Sequence, residues 1–375
     1  MDVIVETHGE VCRLGYLRAI TAIAASLGEG TTLEYIAAML HSLVQSTPLV
    51  DQSEEKLTGF IRNPVTARNY VTLARDLGFV GGERTGGLGT WGRIYMAMKS
   101  SAKFSAYVRG DVKLSHRDLI SLNPVEKFLM LYVVLQRDHL MTKRLLEFAI
   151  ERGEFTRNEA MIFLMEEVYP EVLRTLMSSA GKRRRAELMQ KLEEAQRFRE
   201  LRESFGRKSE WIRSPLYAKY RHVAPPRLEW LVDLDLLSKV RRGRYAVSEL
   251  LRNNSSIFRK VLGFPPSSLP DQLFANIAPV YLKYVKSPPR GMSLQALLTA
   301  FRQLSRDGRE PVNVKTLEVA TSFLLLENNL LMTPKEAHEF LNGLSLIHSD
   351  KIFMTPMEDG LYITRIALRE TDLTT

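Results

Sequence analysis

Three short stretches decide the fold: ARDLGFV at 74–80, LVDLDLL at 231–237 and LNGLSLI at 341–347. Each has a Leu in fourth place (Leu77, Leu234, Leu344), then a small or polar residue (Gly78, Asp235, Ser345), then an apolar pair (Phe79-Val80, Leu236-Leu237, Leu346-Ile347). The Leu docks the last turn of a helix on a core. The small residue lets the chain reverse, and the apolar pair starts a strand beside the helix end. A turn and a β-branched or aromatic strand follow each time, at 91–96, 245–247 and 361–366.

Working outward, apolar residues recur at helical spacing before each stretch. The first is preceded by helices at 12–27, 31–46 and 64–78, with a short one at 51–61; Pro64 opens and Gly78 closes the last. The second follows helices at 124–137, 139–152 and 156–168, and a last helix at 224–237 opened by Pro225-Pro226. The third follows helices at 293–306, 313–328 and 333–343. Between them, 101–123 reads as irregular and 170–205 as long, charged helix, with 181–205 an arm or spacer outside the core. Residues 264–289 hold six prolines and read as a linker around one short helix at 270–285.

Several helices, a final helix and a two-stranded hairpin, in that order, resemble the winged helix-turn-helix superfamily. The resemblance covers roughly 12–100, 124–252 and 290–370. It implies a mostly α fold with small β-hairpin wings: tandem winged-helix domains with an inserted long helical segment. The expected division is an N-terminal winged-helix domain at 1–115 and a second at 116–262, with its helical insertion at about 155–222. A Pro-rich linker at 263–289 and an acidic C-terminal winged-helix domain at 290–375 complete it. The architecture is also loosely similar to the multi-winged-helix DNA-recognition part of some restriction enzymes, which suggests a defence system, replication or transcription as the setting.

In DNA-binding members of that superfamily the last helix enters the major groove and the wing meets the backbone. On the first such helix, Thr66, Arg68, Asn69, Thr72 and Arg75 are expected to face outward, with Tyr70, Leu73 and Leu77 inward. Arg68 and Asn69 suit guanine and adenine edges. Arg84 and Arg93 fall in or beside the first wing, where cations meet phosphate. In the second copy Arg227 lies on the last helix, and Lys239, Arg241, Arg242 and Arg244 crowd the hairpin turn, repelling one another unless an anion is near. Glu229, Asp233 and Asp235 on that helix argue for contact led by the wing. Lys182, Arg183, Arg184 and Arg185 form a further candidate phosphate contact.

Charge supports this placement. The 375 residues carry 52 Lys+Arg against 43 Asp+Glu, a net charge of +9. Residues 1–60 hold 3 basic and 8 acidic side chains, 61–115 hold 9 and 3, 181–222 hold 13 and 6, and 311–375 hold 5 and 9. A polyanion is drawn to the middle of the chain, whereas the acidic C-terminal copy suits a protein partner or a homodimer.

Other classes are disfavoured. The single Cys12 allows no disulfide framework, and seven scattered His show no HExxH spacing. No phosphate loop of the GxxxxGK[ST] kind, no GxSxG and no nuclease carboxylate set is present. With no run of about 18 apolar residues and no basic stretch at the start, neither a transmembrane helix nor a signal peptide is expected. The expectation is therefore a cytoplasmic, non-catalytic protein without cofactor or metal, binding double-stranded DNA. The rival is an interaction scaffold or adaptor subunit, which wins if the cations of 61–115 and 239–244 are paired internally.

Overall fold

The computed structural model describes residues 7, 10–47, 59–82 and 85–368. Most of the expected 51–61 helix lies outside these residues, as does Arg84. The chain is mostly helical. Three small antiparallel sheets, each of three strands, lie among the described residues.

The three sheets are built alike. The first unit runs helix Tyr16–Leu27, strand β1 (Thr31–Thr32), helices Leu33–Gln45 and Pro64–Asp76, then β2 (Val80–Gly81) and β3 (Thr85–Leu88). The second runs helix His139–Arg152, β4 (Glu154–Thr156), helix Arg157–Phe163, a long helical insertion, helix Pro215–Asp233, then β5 (Leu237–Arg241) and β6 (Arg244–Val247). The third runs helix Arg290–Leu304, β7 (Val312–Asn313), helices Val314–Leu326 and Pro334–Ile347, then β8 (Ile352–Met357) and β9 (Gly360–Ile366). In every sheet the short first strand pairs with the third, which pairs with the second: β1-β3-β2, β4-β6-β5 and β7-β9-β8.

Local chemistry explains the first two helix-to-strand reversals. Phe79 N–H bonds Ala74 O at 2.8 Å and Gly78 N–H bonds Arg75 O at 2.8 Å, with Gly78 at φ +80°. Leu236 N–H bonds Leu231 O at 2.9 Å and Asp235 N–H bonds Val232 O at 3.0 Å, with Asp235 at φ +56°. Both pairs close the helix end in the same left-handed cap, which satisfies otherwise orphaned carbonyls. The third stretch does not repeat this. Its helix continues to Ile347, the pair Leu346-Ile347 is exposed, and the strand starts only at Ile352.

The expected strand at 91–96 is helix Thr90–Ala97 instead. The first hairpin closes within the glycine run, Val80 opposite Leu88 and Gly81 opposite Gly87. This helix packs directly on the backbone of β2's lead-in at Gly92, where a Cβ would lie 2.1 Å from Phe79 O. Residues 101–123 are not irregular but hold helices Ser101–Arg109 and His116–Ile120.

Helix Pro215–Asp233 runs through Pro225 and Pro226 rather than starting at them. Pro226 has no N–H for His222 O, and that carbonyl instead accepts the Thr7 hydroxyl. The expected arm at 181–205 is two helices, Lys182–Gln196 and Phe198–Glu203, folded back on the insertion. Leu188, Leu192, Ala195 and Phe198 are buried, and the Glu166 carboxylate holds Arg202 at 2.5 Å and Arg199 at 3.2 Å. The proline-rich stretch is likewise part of the core: Leu269, Leu273, Phe274, Ile277 and Tyr281 are buried, and Tyr281 OH bonds Leu234 O at 2.8 Å.

The units meet in one continuous apolar core. At its centre Phe128, Tyr132, Phe274 and Phe323 stack edge-on, with Trp91 5.3 Å from Tyr132 and 6.5 Å from Phe323. Helix Val314–Leu326 of the third unit is thus buried against helices of the other two, and the acidic unit cannot be removed without exposing this cluster.

Candidate nucleic-acid interface

The cations singled out by the sequence fall into two groups: those consumed by the fold and those presented to solvent. Arg227 belongs to the first. It is 1% exposed and bonds Asp138 through Nε at 2.7 Å and Nη2 at 2.8 Å. It is an internal strut, not a helix-surface contact. Arg18 and Glu126, at 2.7 Å, form a similar buried pair, with the Arg18 guanidinium over the Phe104 ring. Such pairs are costly to break because one partner leaves a buried charge behind.

The carboxylates of the Pro215–Asp233 helix are consumed too. Asp233 takes Arg13 at 2.5 Å and the Leu14 N–H at 2.9 Å; burial pushes its pKa up to about 6 against the pull of Arg13. Glu229 takes the Tyr245 hydroxyl at 2.7 Å and Lys239 at 2.6 Å. Asp235 pairs with Lys127. Trp230 Nε1 donates to Val11 O at 2.7 Å, so the N-terminal segment covers this helix, and residues 223–231 are buried throughout. This half of the helix offers no face to a groove.

Arg93 is corrected as well. On its helix, rather than in a wing, it donates to Leu304 O at 3.0 Å and pairs with Glu310 at 3.0 Å, tying the first unit to the third. Arg244 pairs with Glu154 across the sheet, and Arg75 with Asp76 at 2.9 Å. Thr66, expected outside, is buried with its hydroxyl on Glu10 and its N–H on the Asn63 cap at 2.8 Å.

What remains outside is smaller and better defined. On helix Pro64–Asp76 the outer row is Val65, Arg68, Asn69, Thr72 and Arg75, with Val65 and Arg68 exposed and the others half-buried. At the second hairpin Arg241 and Arg242 are exposed beside Gly243 at φ +73°, a turn that suits glycine. Lys182, Arg183, Arg184 and Arg185 are exposed in the first turn of their helix, where the helix dipole is unfavourable to cations. Arg184 pairs with Glu187 at 3.2 Å, Arg183 lies 3.8 Å from it, and Arg185 Nε bonds Met177 O at 3.2 Å.

The fold also adds cations that the sequence did not single out. Arg157 opens its helix just below the second hairpin, its N–H on Gly243 O at 2.8 Å. Arg207 and Lys208 lie across a cleft from it, exposed. For Arg207 and Lys208 the advance signal was the surplus of basic residues over 181–222; nothing in the sequence marked Arg157. Among the described residues no group of three or more His, Cys, Asp or Glu is placed to hold a metal, and no helix is long and apolar enough to cross a membrane. No protein-family model, curated protein or solved structure matches the chain.

Proposed function

We propose that the chain is a non-catalytic, double-stranded DNA-binding protein assembled from tandem winged helices, with the second hairpin as its phosphate grip. The observation that carries this is the exposed Arg241-Arg242 pair on a glycine turn, whose hairpin neighbours Lys239 and Arg244 are already neutralised by Glu229 and Glu154. Two adjacent cations left in solvent at a projecting tip suit backbone phosphates. The common strand order of the three sheets, each with a short strand between its unit's first helix and the next, supports the winged-helix interpretation. Helix Pro64–Asp76 presents Arg68 and Asn69 for base edges.

A second reading, an interaction scaffold, is favoured by two observations. Arg75, Arg93, Lys103 and Arg109, like Lys239 and Arg244, are paired with carboxylates of this chain. The third unit exposes Leu346 (83%), Ile347 (61%), Phe353 (44%), Met357 and Leu361 beside acidic Glu358 and Asp359, a surface suited to a protein partner or a second copy. A setting in defence, replication or transcription accommodates both. The test is fluorescence anisotropy with a random duplex. R241E/R242E is expected to lower affinity at least tenfold, and an unchanged affinity removes the second hairpin from the interface.

A further inference from the structure

A second feature of the basic middle region lies beside the hairpin proposed to grip a duplex. Below the second hairpin lies a cleft of about 610 Å³, bounded by Thr156, Arg157, Asn158 and Gly243 on one side and by 202–217 on the other. That volume lies within the roughly 300–1,000 Å³ of small-molecule sites. Its cations are Arg157, Arg202, Arg207 and Lys208; the carboxylates bonded to its lining are Glu159, on Thr156, Glu210, on the Arg207 N–H, and those that hold Arg202. Arg202 is held by Glu166 and Glu203, whereas Arg157, Arg207 and Lys208 are exposed at the rim.

The wall opposite the Arg157 helix is aromatic. Phe205 and Tyr217 are half-buried and flank Trp211, with ring centroids 5.6 Å and 5.3 Å from it. Met161 and Ile162 complete an apolar floor, and Asn158 adds an amide with both donor and acceptor. Rim cations with an aromatic wall are what a phosphate attached to a planar base requires: charge for one end, a stacking face for the other. A bare inorganic anion would leave the aromatic wall unused. An apolar ligand would leave three cations facing it.

We propose that this cleft binds a nucleotide, its phosphate on Arg157, Arg207 and Lys208 and its base against Phe205 and Tyr217. Free nucleotide and an unpaired nucleotide at the end of a strand share this chemistry. The strand-end form rests on the DNA-binding proposal above, and the free form does not.

The test is a titration of the full chain by tryptophan fluorescence with three probes: AMP, a duplex with a 5′-phosphorylated single-stranded overhang, and the same duplex blunt-ended. AMP or the overhang is expected to change the emission, the change to vanish in W211F, and affinity to fall at least tenfold in R157A/R207A/K208A. These three side chains are exposed, so the variant should keep its fold, checked by circular dichroism. A response to AMP assigns free nucleotide; a response to the overhang alone assigns the strand end. Removing Arg241 and Arg242, which do not line the cleft, should leave the AMP response within about threefold while it lowers blunt-duplex affinity, so failure of this site and failure of duplex binding are read separately. No response to AMP or overhang, or a response undiminished in the triple variant, overturns the proposal.

Discussion

The second and third hairpins share a strand order and differ in almost everything they show to solvent. β5–β6 ends in Arg241 and Arg242, with Val240 its exposed apolar residue. β8–β9 ends in Glu358 and Asp359 and exposes Phe353, Met357 and Leu361. One scaffold thus carries two opposite surfaces, because the outward positions of a two-stranded ribbon do not contribute to the core and are free to change. The same contrast runs through the arginines. Arg227 and Arg18 hold the core together, whereas Arg241, Arg242 and Arg68 stand outside it.

The largest expected effect separates those roles. R227A should cost about 3–5 kcal/mol of stability by stranding Asp138, read by urea unfolding, while R241A/R242A should shift stability by less than about 0.5 kcal/mol. Equal losses would erase the distinction between internal and presented cations. Next, R241A/R242A should reduce the slope of log affinity against log salt by about 2, one for each phosphate that the variant leaves without its arginine. The third hairpin sharpens the comparison from the other side: F353E/L361E should leave duplex affinity within about twofold yet abolish any concentration-dependent self-association seen by ultracentrifugation. N69A should relax base preference in a selection from random duplexes more than it lowers affinity for any one of them, by roughly 1–3 kcal/mol of discrimination.

The last comparison concerns pH. The Asp233 pKa is raised from 3.8 to about 6, so the folded state holds this proton more tightly than the unfolded chain. Its contribution to stability is therefore full below pH 3.8 and is lost as pH rises through about 6. The difference in stability between the protein and D233N should change across that window and stay constant above it, measured by unfolding at successive pH values.

Much of the helical order was legible in the sequence, because Pro64 opens its helix and Gly78 closes it by local backbone geometry alone. The reversals at Leu77 and Leu234 were legible for the same reason. What was not legible depended on distant residues. Thr90–Ala97 has the β-branched and aromatic look of a strand, but it is a helix packed through Gly92 on the Phe79 backbone, a contact the local sequence does not show. Leu346-Ile347 matched the pattern of Phe79-Val80 in composition but lacked a left-handed residue before it, so the helix simply continued. For the interface, charge density located the region but not the members. Arg93 and Arg227 lost their expected roles to Glu310 and Asp138, partners 217 and 89 residues away. Arg157, Arg207 and Lys208 converge only because the insertion folds back on the second hairpin.

The most direct measurement is the affinity of the full chain for a random duplex at 50 and 200 mM salt, about a fourfold span of ionic strength, by anisotropy. Contacts to several phosphates should weaken binding by an order of magnitude or more across that span. Binding that is absent at the lower concentration, or that does not respond to salt, would contradict the assignment of the exposed arginines to a polyanion.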